Sequence, residues 1–556
     1  MVNLQTRNRV FFPSAYSLLT IAFFALLFTE GQAQHSPLGS SQSQYLPMFR
    51  ERNLMYERYM NNKNCNVHTS VLPFNNSPEV QAISDSIRQS MKKKSDTLLY
   101  ALIDDFGYRN PIYITGIFDM YAGYEQAVIS GTKTVLGGGL SIEQNLKRKL
   151  TLSATFLPGN CSLPSYLDTF AKNSHVVPGM GPAYTSKNGF AYQYCSGYLS
   201  YSPNKIFNFQ IGKDKNFWGD GYRSLFLSDV SSSYPFLKVS ATVWKLKYVS
   251  LFTCLKDVTA PSHLKKDFRN KYGTFHYLSW NATCWLNFSV FESVIWQGSD
   301  ANRTRNFDVN YLNPVIFFRP VEYSLGSSDN AFLGFSFKVK AAEKQQFYGQ
   351  LLLDEFLLNE VLAVFKKIAH PLDHSIKYGW WGNKQGAQLG FKSFDLFTLK
   401  NLSFQTELNA VRPYTYAHGS VQQNYANFNQ PLAHPLGANF AESVSFLNYR
   451  HKKWIVETEF LYALYGKDEN GKNYGQNIFE SYTTHPNEYG NKFFQGLKTN
   501  LTYTKMKIGY YLIPSADLLV EAGMALRQEK NPASSVSSGF IFIGLRTGIL
   551  NRYSDF

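Results

Sequence analysis

Cysteine is scarce and poorly placed for a framework. Cys65, Cys161, Cys195, Cys254 and Cys284 are the only five in 556 residues. An odd number, with no CxxC pair and no His-Cys cluster, excludes an ordinary zinc site and a dense disulfide scaffold. Each thiol reads as a small, partly buried apolar residue, with Cys161 and Cys195 as one candidate pair in an oxidising compartment. Long hydrophobic runs are also missing. Only 18–28, LLTIAFFALLF, is continuous, whereas each helical membrane span needs about 20 apolar residues. That shortage, with a mean hydropathy of −0.26, excludes a polytopic helical membrane protein. Catalytic signatures are absent too. There is no GxSxG and no HExxH, and the 11 His are scattered. Without an assembled nucleophile, base and orienting group, no enzyme is expected, and no catalytic residue, metal or cofactor is assigned.

Aromatic residues are abundant instead. The chain has 45 Phe, 37 Tyr and 8 Trp, 16% of its residues, while charged residues make up only 17%. Such a surplus with mediocre hydropathy suggests apolar side chains at every second position. At the start, Arg7 and Arg9 precede the apolar stretch and Gly31, Gln32 and Ala33 follow it. This is the pattern of a cleavable secretion signal over 1–33, cut after Ala33. No Cys follows the cut, so a lipoprotein anchor is not expected. The net charge of +15 and a pI near 9.2 favour anionic partners. Acidic polysaccharide and lipopolysaccharide phosphates come first, and nucleic acid is not expected. Scattered, solvated lysine would account for the same charge.

Residues 34–105 read as a small helical segment outside the membrane. Ser77-Pro78-Glu79 is a helix start, with a cap, a first-turn proline and an acid at the positive dipole end. Val80, Ile83, Ile87 and Met91 then form one stripe. An earlier helix runs through Met48, Met55 and Tyr59, with a linker over 67–77. From about Phe106 to Phe556 the period becomes 2. Phe207, Phe209 and Ile211 alternate with Asn208, Gln210 and Gly212, and Leu402, Phe404, Thr406 and Leu408 oppose Ser403, Gln405 and Glu407. The expected fold is mainly β, an antiparallel outer-membrane barrel of about 18 strands, each of the roughly 9–11 residues that cross a bilayer.

Several details follow. Trp380-Trp381 and Tyr510-Tyr511 are expected in interfacial girdles. Long loops are expected at 158–189, 260–272, 412–439 and 466–492, short turns at sites such as 147–149, and the last strand over 539–550 ahead of a 551–556 tail. Residues 354–370 break the pattern with a short amphipathic helix. A soluble sandwich or propeller would also alternate, but needs no such aromatic content, and no propeller-length repeat is found.

One segment stands out: FQIGKDKNFWGDGYRSLFLSD at 209–229. Lys213, Asp214, Trp218, Asp220 and Arg223 make a polar cluster among Gly-rich turns. A tryptophan flanked by Asp and Arg suits stacking on a sugar, and suits equally a salt-bridged turn folded into a barrel lumen, which the physics favours. The run resembles the capsule-assembly Wzi family of outer-membrane proteins, in particular its Bacteroidetes branch, which includes gliding-motility RemB-like members. HYLSW at 276–280, VNYLNPVIFFRPVEYSLGSSDN at 309–330, YGQLLLDEF at 348–356 and GNKQGAQLG at 382–390 add to the resemblance. It implies a barrel of about 18 strands with a periplasmic helical segment; outer-membrane lipid, lipopolysaccharide and, during insertion, the barrel-assembly machinery are the expected partners. It also implies a non-enzymatic role, binding surface polysaccharide and organising it outside the cell, for which Lys213, Asp214, Trp218, Asp220 and Arg223 are the candidate polar cluster. A gliding-motility or adhesion component and a diffusion porin are the alternatives.

Overall fold

The computed structural model describes residues 48–61, 67–74, 80, 82–83, 112–146, 149–257, 268–299, 306–313, 329–355, 357–373 and 375–556. The secretion signal, Cys65, most of the helix expected after Ser77 and most of the 309–330 motif lie outside them.

Eighteen strands among the described residues close into a barrel. The first six are β1 Ile112–Gln126, β2 Gly131–Leu146, β3 Leu150–Ser162, β4 Gly189–Tyr201, β5 Phe207–Asp214 and β6 Tyr234–Val243. They continue as β7 Leu246–Asp257, β8 Arg269–Trp280, β9 Leu286–Gln297, β10 Asn330–Ala342, β11 Gln345–Leu353 and β12 Gln385–Phe394. The ring is completed by β13 Leu402–Val411, β14 Phe440–His451, β15 Trp454–Lys467, β16 Leu497–Ile513, β17 Leu518–Lys530 and β18 Ser535–Thr547. Neighbours are antiparallel throughout, and β18 pairs back onto β1 from Gly539 opposite Gln126 to Arg546 opposite Asp119.

Alternation now has a direction. On β5, Phe207, Phe209 and Ile211 point outward and exposed while Asn208 and Gln210 are buried inside. On β10, Phe335 is exposed and Lys338 and Lys340 are buried; on β13, Leu408 is exposed and Gln405, Glu407 and Asn409 are buried. Hydrocarbon outside and charge inside invert the arrangement of a water-soluble domain. Only a bilayer around the wall makes this favourable, and closure leaves no strand edge unpaired in the hydrocarbon. The soluble sandwich and propeller are thereby excluded.

Connections separate by length. One end carries two-residue turns such as 244–245, 343–344 and 452–453; the other carries longer connections such as 163–188, 215–233, 412–439 and 468–496. In barrels of this type the short turns face the periplasm. Several boundaries differ from the sequence expectation because alternation continues into residues that look like loop. Residues 158–162 belong to β3 and 269–272 to β8, and the last strand starts at Ser535 and stops at Thr547. Trp380 and Trp381 lie in a long loop rather than a girdle, and Tyr511 is buried. Tyr510 does stand at the short-turn end, its ring edge-on to Trp454 at 4.9 Å. Cys161 sits opposite Phe190 and Cys195 opposite Phe156, so register keeps the two thiols apart and both are free.

Among the described residues three α-helices accompany the barrel: α1 Arg50–Met60, α2 Ser165–Ser174 and α3 Leu358–Ala369. Helix α1, expected through Met55 and Tyr59, enters the short-turn mouth. Its polar side chains are matched by the wall: Arg50 to Glu457 at 2.9 Å, Glu57 to Lys392 at 2.5 Å, and Arg58 to Asp395 at 2.9 Å. Glu51 pairs with Lys507 and Arg546. Tyr56, Met60, Phe74 and Val80 form a small core beneath it, with Ile83 against them. Helix α3 is the amphipathic helix expected in 354–370.

The outward wall yields a test. Leu408→Arg places a charge on a face that a soluble protein would leave in water, where the change is neutral. In a bilayer it should destabilise the folded barrel by about 2–4 kcal/mol, measured by urea unfolding in lipid vesicles, whereas Lys213→Arg, which keeps a charge already exposed on β5, should leave the midpoint unchanged.

Candidate functional site

The 215–233 segment does not project outward. It folds into the lumen, where Trp218 is completely buried. Val71–Leu72 adds a strand to Phe217–Trp218, and the Gly219 amide donates to Ser70 at 2.8 Å. The Trp218 ring is enclosed by Phe275, Tyr277 and Phe291, with centroids at 6.3, 5.4 and 6.1 Å. No indole face is left for a sugar.

The rest of the cluster divides. Asp220 accepts from Thr69 and lies 3.5 Å from Lys338. Asp214 accepts the Lys215 amide at 2.8 Å and lies 3.4 Å from the Tyr194 hydroxyl. Arg223 is the hub: Nε donates to Glu442 at 3.1 Å and Nη2 to Asp555 at 2.8 Å. Lys213 stands apart, exposed on the outward face of β5. Gly221 is required by a close approach, since a Cβ there would overlap the Glu407 carboxylate. That carboxylate accepts the amides of Tyr222 and Arg223 at 2.8 and 3.1 Å.

The other motifs converge on this loop. Tyr277 belongs to HYLSW, Gln350 to YGQLLLDEF and Gln388 to GNKQGAQLG. Gln350 donates to the Trp218 carbonyl at 3.1 Å and accepts the Leu225 amide at 2.8 Å; Gln388 donates to the Arg223 carbonyl at 3.0 Å. Residues beyond the last strand add to the plug. Residues 551–556 turn back into the barrel, where Tyr553 donates to Asp229 at 2.6 Å, Tyr222 donates to Asp555 at 3.0 Å, and Phe556 packs edge-on to Phe170 of α2. From above, Tyr416 and Tyr425 donate to the carbonyls of Leu225 and Phe226, so 412–439 also descends into the lumen.

Over the long-loop mouth, 354–384, 412–439 and 468–496 knit into a cap. Lys384 lies between Asp354 at 3.2 Å and Glu355 at 3.3 Å, and 4.5 Å from the Tyr482 ring centre. Trp381 stacks on His485 at 4.5 Å and donates to Glu488 at 3.0 Å. Outside this core, Tyr378 and Tyr489 are exposed, with Lys367 at 5.9 Å and Lys377 at 5.7 Å from their ring centres. Sequence reasoning missed these residues. The paired tryptophans were the available signal, but nothing local separates a cap from a girdle.

Neither a protein-family model nor a curated protein matches the chain. Among solved structures it is similar to Wzi of Escherichia coli, described as an outer-membrane protein involved in group 1 capsule assembly and a carbohydrate-binding β-barrel. The two are 12% identical with a TM-score of 0.50, over 90% of this chain and 99% of that one. The likeness establishes a shared fold. OprD of Pseudomonas aeruginosa (8% identity, TM-score 0.39, 78% of this chain and 94% of that one) and OccAB2 of Acinetobacter baumannii (11%, 0.40, 78% and 97%) are more distant.

Two expectations follow. Arg223→Met strands the Glu442 and Asp555 carboxylates in a buried setting and should cost about 3–5 kcal/mol, read as a lowered urea midpoint with early proteolysis of the C-terminal tail. In the cap, burial and the nearby Lys384 push the His418 imidazole down to about 4 from 6.5, and its neutral Nδ1 accepts the Ser420 amide at 3.1 Å. Because the folded value lies below the unfolded one, this stabilisation is complete above pH 6.5 and is lost as pH falls towards 4. Hydrogen exchange across 412–424, corrected for intrinsic rates, should accelerate over that interval, and His418→Gln should flatten the change.

Proposed function

We propose that this protein is an outer-membrane barrel that binds a surface polysaccharide at its capped mouth and helps attach or organise it at the cell exterior. On this reading the chain is exported by cleavage after Ala33, inserted by the barrel-assembly machinery, and seated among lipopolysaccharide, with residues before the barrel on the periplasmic side.

The observation that carries the proposal is the filled lumen. A diffusion pore needs the space that α1, 215–233, 412–439 and 551–556 occupy. Binding is then left to the cap. Exposed Tyr378 and Tyr489 offer aromatic surface for the C–H faces of sugars, and Lys367 and Lys377 beside them suit the carboxylates of an acidic glycan. The basic net charge acts in the same direction. Wzi, which shares the fold, is itself described as carbohydrate-binding and involved in capsule assembly. Asp214, Trp218, Asp220 and Arg223 support the site from within, by fixing the loops, while Lys213 faces outward. A motility or adhesion role would use the same cap to hold a different surface partner.

The test combines a deletion strain with purified protein. Loss of surface glycan retention with normal colony spreading is expected; the reverse pattern favours the motility role. Purified protein should bind an acidic surface glycan less tightly as salt rises, and Tyr378→Ala with Tyr489→Ala should weaken binding by about tenfold. Steady conductance in planar bilayers, with no glycan bound, would support the pore and defeat the proposal.

A further inference from the structure

At the short-turn mouth, opposite the cap, a cavity of about 500 Å³ lies between α1 and the ends of β12–β15, a volume in the range of small-ligand sites. Its charge is unbalanced. The acids that line it, Glu51 and Asp395, are committed to ion pairs, Glu51 with Lys507 and Arg546, and Asp395 with Arg58 and Lys344. Lys400, His451 and Lys452 line the same cavity from the turns and are exposed.

Within it, Asn448 presents an unmet amide. The residue is only 7% exposed, and neither Oδ1 nor Nδ2 has a hydrogen-bond partner among the described residues. A buried polar atom left without a partner has lost its water without recompense, so a ligand bringing both an acceptor and a hydroxyl is favoured there. The neighbouring outer surface is apolar: Phe397 and Leu399 in the β12–β13 turn are 80% and 56% exposed, and Tyr449 is exposed on β14. In water that surface is unfavourable; at the edge of a bilayer it is an anchor.

We propose that this cavity holds the anionic, hydroxyl-bearing headgroup of a phospholipid from the adjoining leaflet. The phosphate meets Lys400, His451 and Lys452, a headgroup hydroxyl and an ester oxygen satisfy Asn448, and the acyl chains leave over Leu399 and Tyr449. This rests on the wall spanning a bilayer and is independent of what the cap binds.

The test is native mass spectrometry of the full chain in detergent, titrated separately with phosphatidylglycerol, phosphatidylcholine and inorganic phosphate. Phosphatidylglycerol should be retained about tenfold over phosphatidylcholine, because it carries a net negative charge and free headgroup hydroxyls where phosphatidylcholine is zwitterionic. Lys400→Glu with Lys452→Glu should abolish that preference, and Asn448→Leu alone should lower phosphatidylglycerol retention several-fold. The heat-dependent gel shift of each variant reports that the barrel is folded, and either variant alone decides the matter if the other misfolds. Equal retention of the two lipids, unchanged retention in the variants, or inorganic phosphate displacing phosphatidylglycerol at equal concentration would overturn the proposal.

Discussion

Closure of the strand ladder is the constraint on which everything else depends. A backbone amide or carbonyl in hydrocarbon has no water to turn to, and pairing β18 with β1 leaves no open edge in the ring. Once closed, the wall has two chemically opposite faces. Leucine, isoleucine and phenylalanine are stable on the outside because lipid surrounds them. Lysine, glutamate and glutamine are stable on the inside because something polar meets them there.

What meets them is mostly the protein itself. Lys392, Glu457 and Lys507 on the wall are answered by Glu57, Arg50 and Glu51 on α1, and Glu442 by Arg223 from the plug loop. Buried ion pairs of this kind add little net stability but are costly to break singly. They therefore act as registration devices, fixing the plug, the cap above it and the helix below it in one arrangement. Residues 551–556 extend this logic, since Asp555 adds a second carboxylate to Arg223 and Phe556 reaches α2. A lumen so occupied leaves exposed aromatic and basic side chains at the cap and an amphiphilic cavity at the opposite mouth.

Much of the fold was legible along the chain. Period-2 alternation is a local consequence of the pleat, so β5, β10 and β13 could be recognised and their lipid-facing residues named. The strand number followed from the repeat of that pattern together with the family resemblance. Boundaries were less legible because a polar residue at a strand end is the same residue in a loop, as at 158–162. Trp380 and Trp381 were misplaced because an aromatic pair has the same local appearance in a girdle and in a cap.

The sequence by itself determined the class of the molecule, the outward face of its wall and the exceptional character of the 209–229 run, all properties of residues within a few positions of one another. Only the tertiary structure decided what that run does. Trp218 became part of a core because residues 275, 277 and 291 close over it, and Arg223 became a hub because Glu442 and Asp555 arrive from more than 200 residues away. The physical reason is that burial and charge pairing depend on which distant segments share a volume, and ring closure, not local pattern, brings those segments together.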